Sequence, residues 1–160
     1  MVVQGGGAKS NSTHSIRRLT EYSCWANGAW IDFIEKNRPS DQFLLERISH
    51  ILSGEDVWFR RIDGVPVDSN VWSVLTFDQM RERLAQHRDV YGSLLGGDVT
   101  RVVDYTRFTG EKYRSPIADI LVHLSHHGAH HRGQMATHVS AQGGKPINTD
   151  FIQFCLVKGI

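Results

Sequence analysis

Histidine is concentrated in one short stretch of this chain. HLSHHGAHHRGQM, residues 123–135, holds five histidines in thirteen positions, and His138 follows shortly after. The whole chain has nine histidines. Imidazole binds divalent metals and carries protons near neutral pH. A histidine-rich run also occurs on surfaces where it does neither, so the angular placement of these residues has to decide.

On a helical wheel at about 100° per residue, with His127 at zero, His131 falls near +40° and His123 near −40°. His138, Gln134 and His130 fall near +20°, −20° and −60°, and only His126 strays, to about −100°. Residues four apart stand one above the other on a helix, about 6 Å between their stems. Two imidazoles so placed can converge on one cation at about 2 Å from each nitrogen. His127 with His131 makes such a pair, and so does His123 with His127. Neither has the internal glutamate of HExxH, which rules out that metalloprotease pattern.

A third ligand has to come from another helix. His50, within RISHILSGEDVWFRRI, leads. Gly54, one turn on, is expected either to leave open space beside it or to allow close helix packing. His87, between Gln86 and Arg88, is expected at the surface, and His14 lies in an expected N-terminal tail.

Apolar periodicity supplies the elements that must position these residues. Leu19, Tyr22, Ala26, Ala29, Trp30 and Phe33 mark a first helix from Ser15 to Asn37, capped by Ser12 or Thr13 and ended by Arg38-Pro39. A second, capped by Ser40, runs to about Ile62 and stops at Asp63-Gly64 and Pro66. A loop carrying Trp72 leads to Thr76, which opens a third helix in a capping-box pattern with Gln79 and runs to about Leu95. Residues 98–115 are rich in β-branched and aromatic residues around Thr109-Gly110, as in a short hairpin or an extended linker. Ser115 as cap and Pro116 in the first turn begin the histidine helix, which runs to about Gln142. A short last helix spans roughly Asp150 to Lys158. The expected fold is all-α: a four-helix bundle, whose facing helices can build a metal site, with a short extra C-terminal helix. Residues 1–14 are expected to be a flexible tail and 15–160 one domain.

Bulk properties narrow the function. The chain has 160 residues, 40% hydrophobic and 22% charged, with formal net charge +1. That suits a soluble globular domain and gives no basic footprint for nucleic acid or an anionic membrane. No apolar run reaches the roughly 18 residues of a membrane span, and the start has no secretory signal pattern. Cytoplasm is the expected location. Cys24 and Cys155 form no metal-binding spacing and are expected to be buried, unpaired residues.

Trp25-Ala26-Asn27, then His50 ahead of Glu55 and Trp58, then HLSHHGAHHRGQM, together resemble the DinB (damage-inducible, YfiT-like) family of metal-dependent proteins. FTGEKYR before Pro116 fits as well, and the likeness covers about residues 15–158. HHRGQ after a helical histidine is its most specific part. The resemblance implies a four-helix bundle, usually dimeric, holding a divalent metal on three histidines. Carried onto this chain, these are His50, His127 and His131. It departs from the pattern at His126, where relatives often have asparagine.

Three neutral imidazoles leave a divalent ion with open positions, so the resemblance points to a metal-activated hydroxide or thiolate acting on a small molecule. The same fold serves thiol transferases and isomerases that use mycothiol or bacillithiol. The expectation is a hydrolase or thiol-dependent transferase carrying zinc or nickel, with iron, manganese or copper as other candidates. The rival readings are a non-catalytic metal- or ligand-binding stress-response protein, and a dimer that keeps a metal for stability alone. No catalytic residue is assigned. His130 and Gln134 are expected either to support the ligands or merely to line the site. His123 is a spare ligand or proton carrier, or simply a packed histidine. Arg132 is expected in a structural ion pair, Glu55 as a solvated helix charge, and Trp25, Trp58 and Trp72 in the core or a pocket wall. Asp56 could reach a ligand.

Overall fold

The starts of the three central helices in this protein are explained by where their first N–H groups find acceptors. The computed structural model describes residues 7–67 and 70–160, with side chains from residue 13 onward. The first helix, α1, is Gly7–Asn37. It begins eight residues before the expected start, so Ser12 and Thr13 lie within it rather than cap it.

The second helix, α2, is Gln42–Ile62. Its cap is Asp41, whose side chain accepts from the Leu44 N–H at 3.3 Å, one residue beyond the expected Ser40. The third, α3, is Phe77–Gly96. Thr76 and Gln79 there form both bonds of the expected capping box.

The expected hairpin is present. Strands β1 (Val102–Thr106) and β2 (Lys112–Pro116) pair antiparallel, with Tyr105 opposite Tyr113. Gly110 sits in the turn at φ +92°, a left-handed conformation that favours glycine. The hairpin feeds directly into α4, Ile117–Ala141. Pro116 is therefore the cap position and not the first helical residue, and Ser115 belongs to the strand. Carbonyls from the chain ahead of β1 do the capping: Ile117 N–H donates to Arg101 O at 3.0 Å and Ala118 N–H to Val99 O at 2.8 Å. Helix α5, Phe151–Lys158, ends at Gly159 with φ +68°.

Among the described residues the result is five helices and one two-stranded sheet. Helix α1 packs on α3 and α4, and α2 on α4, α3, α1 and β1. Their shared core includes Trp30, Ile34, Leu44, Ile51, Met80 and Leu124, all buried. A smaller cluster of Tyr22, Ala26, Phe154 and Cys155 fixes α5 against α1. Cys24 and Cys155 are buried and unpaired, as expected. No helix among the described residues is long and apolar enough to cross a membrane.

Because α2 is packed by neighbours on several sides, its buried residues run nearly all the way round it, from Leu44 through Ser49, Ser53 and Glu55 to Ile62. That position lets it carry one polar group toward α4 and another toward α3.

Candidate metal centre

His50 on α2 meets His127 and His131 on α4. His50 Nε2 lies 3.2 Å from His127 Nε2, and His131 Nε2 lies 3.2 Å from the same atom. The three candidate ligand atoms all fall within 4.8 Å of one another.

The outer nitrogens set the tautomers. His50 Nδ1 donates to the Val71 carbonyl at 3.1 Å, and His131 Nδ1 donates to Gln134 Oε1 at 2.9 Å. In the neutral rings this leaves a bare lone pair on Nε2 of each, aimed inward. His127 carries at most one proton at its own Nε2. That one proton cannot make a full hydrogen bond to both lone pairs, and without it both contacts are between lone pairs; a cation relieves either arrangement. Two zinc ligands at about 2.05 Å and a tetrahedral angle stand about 3.3 Å apart, close to both spacings. The residues present thus fit a divalent ion.

Burial favours the neutral, ligating form of all three rings. His127 is lowered to about 3, first by desolvation and then by the neighbouring His131 and His50. Desolvation also lowers His50 and His131, against the bonds to Val71 and Gln134. The space for His127 comes from Gly54: a Cβ there would stand 3.2 Å from His127 Cε1. Of the two expectations for Gly54, close packing holds, but its beneficiary is His127.

The surrounding residues divide in three. Gln134 Nε2 donates to His130 Nε2 at 3.0 Å, linking His130 to the His131 partner. Trp72 lies flat on His50, ring centroids 3.7 Å apart, and Arg47 Cζ lies 4.9 Å from the Trp72 ring centroid. Trp72 is thus a wall over the site, while Trp58 stands edge-on to His123 at 5.3 Å. His123 is beside the trio, 6.0 Å from His127 between ring centroids. His138 and His126 are elsewhere. His138 Nε2 is 3.1 Å from both Asp41 carboxylate oxygens, and its ring stacks on Phe43. His126 is exposed, with Nδ1 donating to Val122 O at 2.8 Å.

Two expectations are corrected on the far side of α2. Glu55 is not a solvated charge and His87 is not exposed; each is 1% exposed. His87 Nδ1 is 2.5 Å from Glu55 Oε2, and its Nε2 is 2.6 Å from Asp56 Oδ1. Burial alone would lower the His87 pKa, but bonds and charges from Asp56 and Glu55 outweigh it and raise it to about 9. His87 is an imidazolium donating from both nitrogens. Asp56 is occupied here and by Arg83 Nη1 at 2.7 Å, so it does not join the trio.

The network continues inward. Asn27 Nδ2 donates to Glu55 at 3.3 Å, and Arg132 Nη1 donates to Asn27 Oδ1 at 2.7 Å. Arg132 is buried over the Tyr22 ring, and among the described residues it has no ion pair. Gly128 makes this fold-back feasible, since a Cβ there would meet Arg132 Nη1 at 2.7 Å. The Asn of Trp25-Ala26-Asn27 and the Arg of HHRGQ are therefore adjacent links of one buried hydrogen-bonded chain.

A mostly helical protein with a three-histidine site between α2 and α4 is the class these features define. The model of the DinB family matches residues 10–157. The chain belongs to the DinB family. No match was found among curated proteins.

Proposed function

We propose that this protein is a divalent-metal-dependent enzyme acting on a small molecule, a hydrolase or thiol-dependent transferase, with His50, His127 and His131 as the metal ligands. The convergence of three neutral imidazole Nε2 atoms from two helices carries the reading. Such a set leaves a bound ion with positions for water or a thiol, whose pKa the metal would lower. The protein's own residues hold the rings: Val71 and Gln134 orient the outer nitrogens, and Trp72 shields His50.

Zinc and nickel are the metals proposed first. We further propose a cytoplasmic homodimer whose four long helices form a four-helix bundle, with residues 15–160 as one domain, and with a low-molecular-weight thiol as one candidate partner.

The test starts from protein prepared without a histidine tag or nickel column. Bound metal is measured in the wild type and in His50→Ala, His127→Ala and His131→Ala. The expected result is near-stoichiometric metal in the wild type and little in each variant. Wild-type metal content in all three variants would overturn the ligand assignment. Hydrolysis and thiol-transfer assays on the same preparations then decide between enzyme and binder: turnover lost with the metal supports catalysis, and metal without turnover on either substrate panel supports a binding protein.

A further inference from the structure

The seam between α2 and α4 does not end at the three histidines. Beyond His127 it passes the edge-on pair of Trp58 and His123 and opens into a cleft of about 570 Å³ under the hairpin. The volume lies within the usual range for a small-molecule site. His123 belongs to both regions, lining the cleft and standing beside His127.

The cleft holds a cation stacked on aromatic rings, Arg61. Arg61 Cζ lies 4.8 Å from the Trp58 ring centroid, 5.1 Å from Phe108 and 5.5 Å from Tyr105. Among the described residues no carboxylate pairs with it. Its one hydrogen bond, from Nη2 to Thr106 O, is long at 3.5 Å, and its buried Nε has no partner. The neighbouring arginines differ. Arg107 is 3.8 Å from Glu111, Arg114 is 2.9 Å from Asp104, and Arg60 donates to Pro66 O. Asp119 lines the same cleft, yet no ion pair joins it to Arg61. Desolvation, the main cause, and repulsion from Arg107 lower the Arg61 pKa, against a compensating contribution from Tyr105. An anion would relieve both costs.

The walls specify the rest of the ligand. Trp58 and Tyr105 meet edge to face at 4.9 Å, and Tyr105 and Tyr113 run nearly parallel. Phe108 and Tyr113 are 53% and 43% exposed, so the rim presents aromatic surface to whatever enters. Flat aromatic walls favour a flat apolar body, and a guanidinium fork favours a carboxylate.

We propose that this cleft binds a planar organic acid, with the carboxylate on Arg61 and the flat body against the exposed rings of Phe108 and Tyr113, in a cleft whose wall residue His123 also stands beside the metal centre. This assigns a substrate class to the centre, and it rests on that centre being the reactive one. Arg61 is then a specificity residue, remote from the reacting atoms.

Naphthoate and its neutral isostere naphthamide serve as probes, titrated by calorimetry into wild-type protein in both zinc-loaded and metal-free forms. Naphthoate should bind in the millimolar range or better, and naphthamide about tenfold or more weakly, the usual worth of a charge-assisted bond. Arg61→Gln should bring naphthoate down to the naphthamide level and leave naphthamide unchanged. Phe108→Ala, on the exposed hairpin, should weaken both probes and keeps the test open if Arg61→Gln does not fold. Arg107→Gln, which removes an exposed cation that already has Glu111 at 3.8 Å, should weaken naphthoate less than Arg61→Gln does. No naphthoate binding, equal binding of acid and amide, or naphthoate binding unaffected by both Arg61→Gln and Phe108→Ala would overturn the proposal. Metal analysis of the same samples separates the two readings. Acid binding without zinc uptake sinks the metal centre alone, and zinc uptake without acid binding sinks the cleft alone.

Discussion

At the scale of single residues, the centre depends on a missing side chain as much as on those present. Gly54 faces His127 across the seam between α2 and α4, with room for a hydrogen and little more. In a helix, alanine is favoured over glycine by about 1 kcal/mol. Gly54→Ala should therefore preserve or raise helix content while the added methyl, 3.2 Å from His127 Cε1, displaces the ring by a few tenths of an ångström. Changes that disturb ligand orientation typically cost about 10- to 100-fold in metal affinity. We expect zinc affinity to fall by about tenfold at unchanged circular dichroism. Unaltered zinc affinity would mean that Gly54 does not set the ring position. The angular position of His127 and His131 was legible because helix geometry alone puts them on one arc. Gly54 was legible only as a choice between two roles, since deciding which imidazole it admits needs the register of α2 against α4.

At the scale of elements, the sequence signal for His87 was present but lay in the helix period, not in its neighbours. Gln86 and Arg88 suggested exposure. Yet Met80, Leu84, His87, Tyr91 and Leu95 recur at three- and four-residue steps, and all five are the buried side of α3. A histidine inside an apolar stripe has to find partners, and Glu55 and Asp56 on α2 supply them. Glu55 is buried for a related reason: a helix with neighbours on several sides has little solvated surface, and that number of neighbours is a tertiary fact that the sequence of α2 does not carry. The helix starts were less legible where backbone does the capping, as at Pro116, because no side-chain signature marks it. The buried imidazolium has a pH consequence. Its pKa is raised from 6.5 to about 9 on folding, so the folded state binds more protons and the stabilisation is full below about 6.5. It is lost as pH rises through about 9. Denaturant titrations of His87→Gln against wild type should show a gap in stability that is widest at or below pH 6.5 and closes toward pH 9. A gap that stays constant across that range would show that His87 is not charged in the folded protein.

For the molecule as a whole, the question is how far the fold depends on the centre. Its three candidate ligands join only α2 and α4, near the middle of their shared seam. The apolar core spans four helices and does not pass through them. The Arg132–Asn27–Glu55–His87 chain crosses the interior independently, linking α4, α1, α2 and α3 by its own hydrogen bonds. This differs from small zinc domains, which have no adequate core and unfold without metal. Metal removal by a chelator should therefore leave the helix content intact. It should still lower the melting temperature, because an ion that binds only the folded state stabilises it by about 2.7 kcal/mol at a hundredfold excess over Kd. For a domain of this size, each kcal/mol shifts the midpoint by about 2–4 °C, so zinc at that excess should raise it by roughly 5–10 °C. The same titration on His127→Ala should give almost no shift, since the ring shared by both close contacts is gone. Collapse of the metal-free protein to an unfolded chain would show that the ion, not the core, holds these helices together. An equal zinc shift in His127→Ala would place the stabilising ion elsewhere on the molecule.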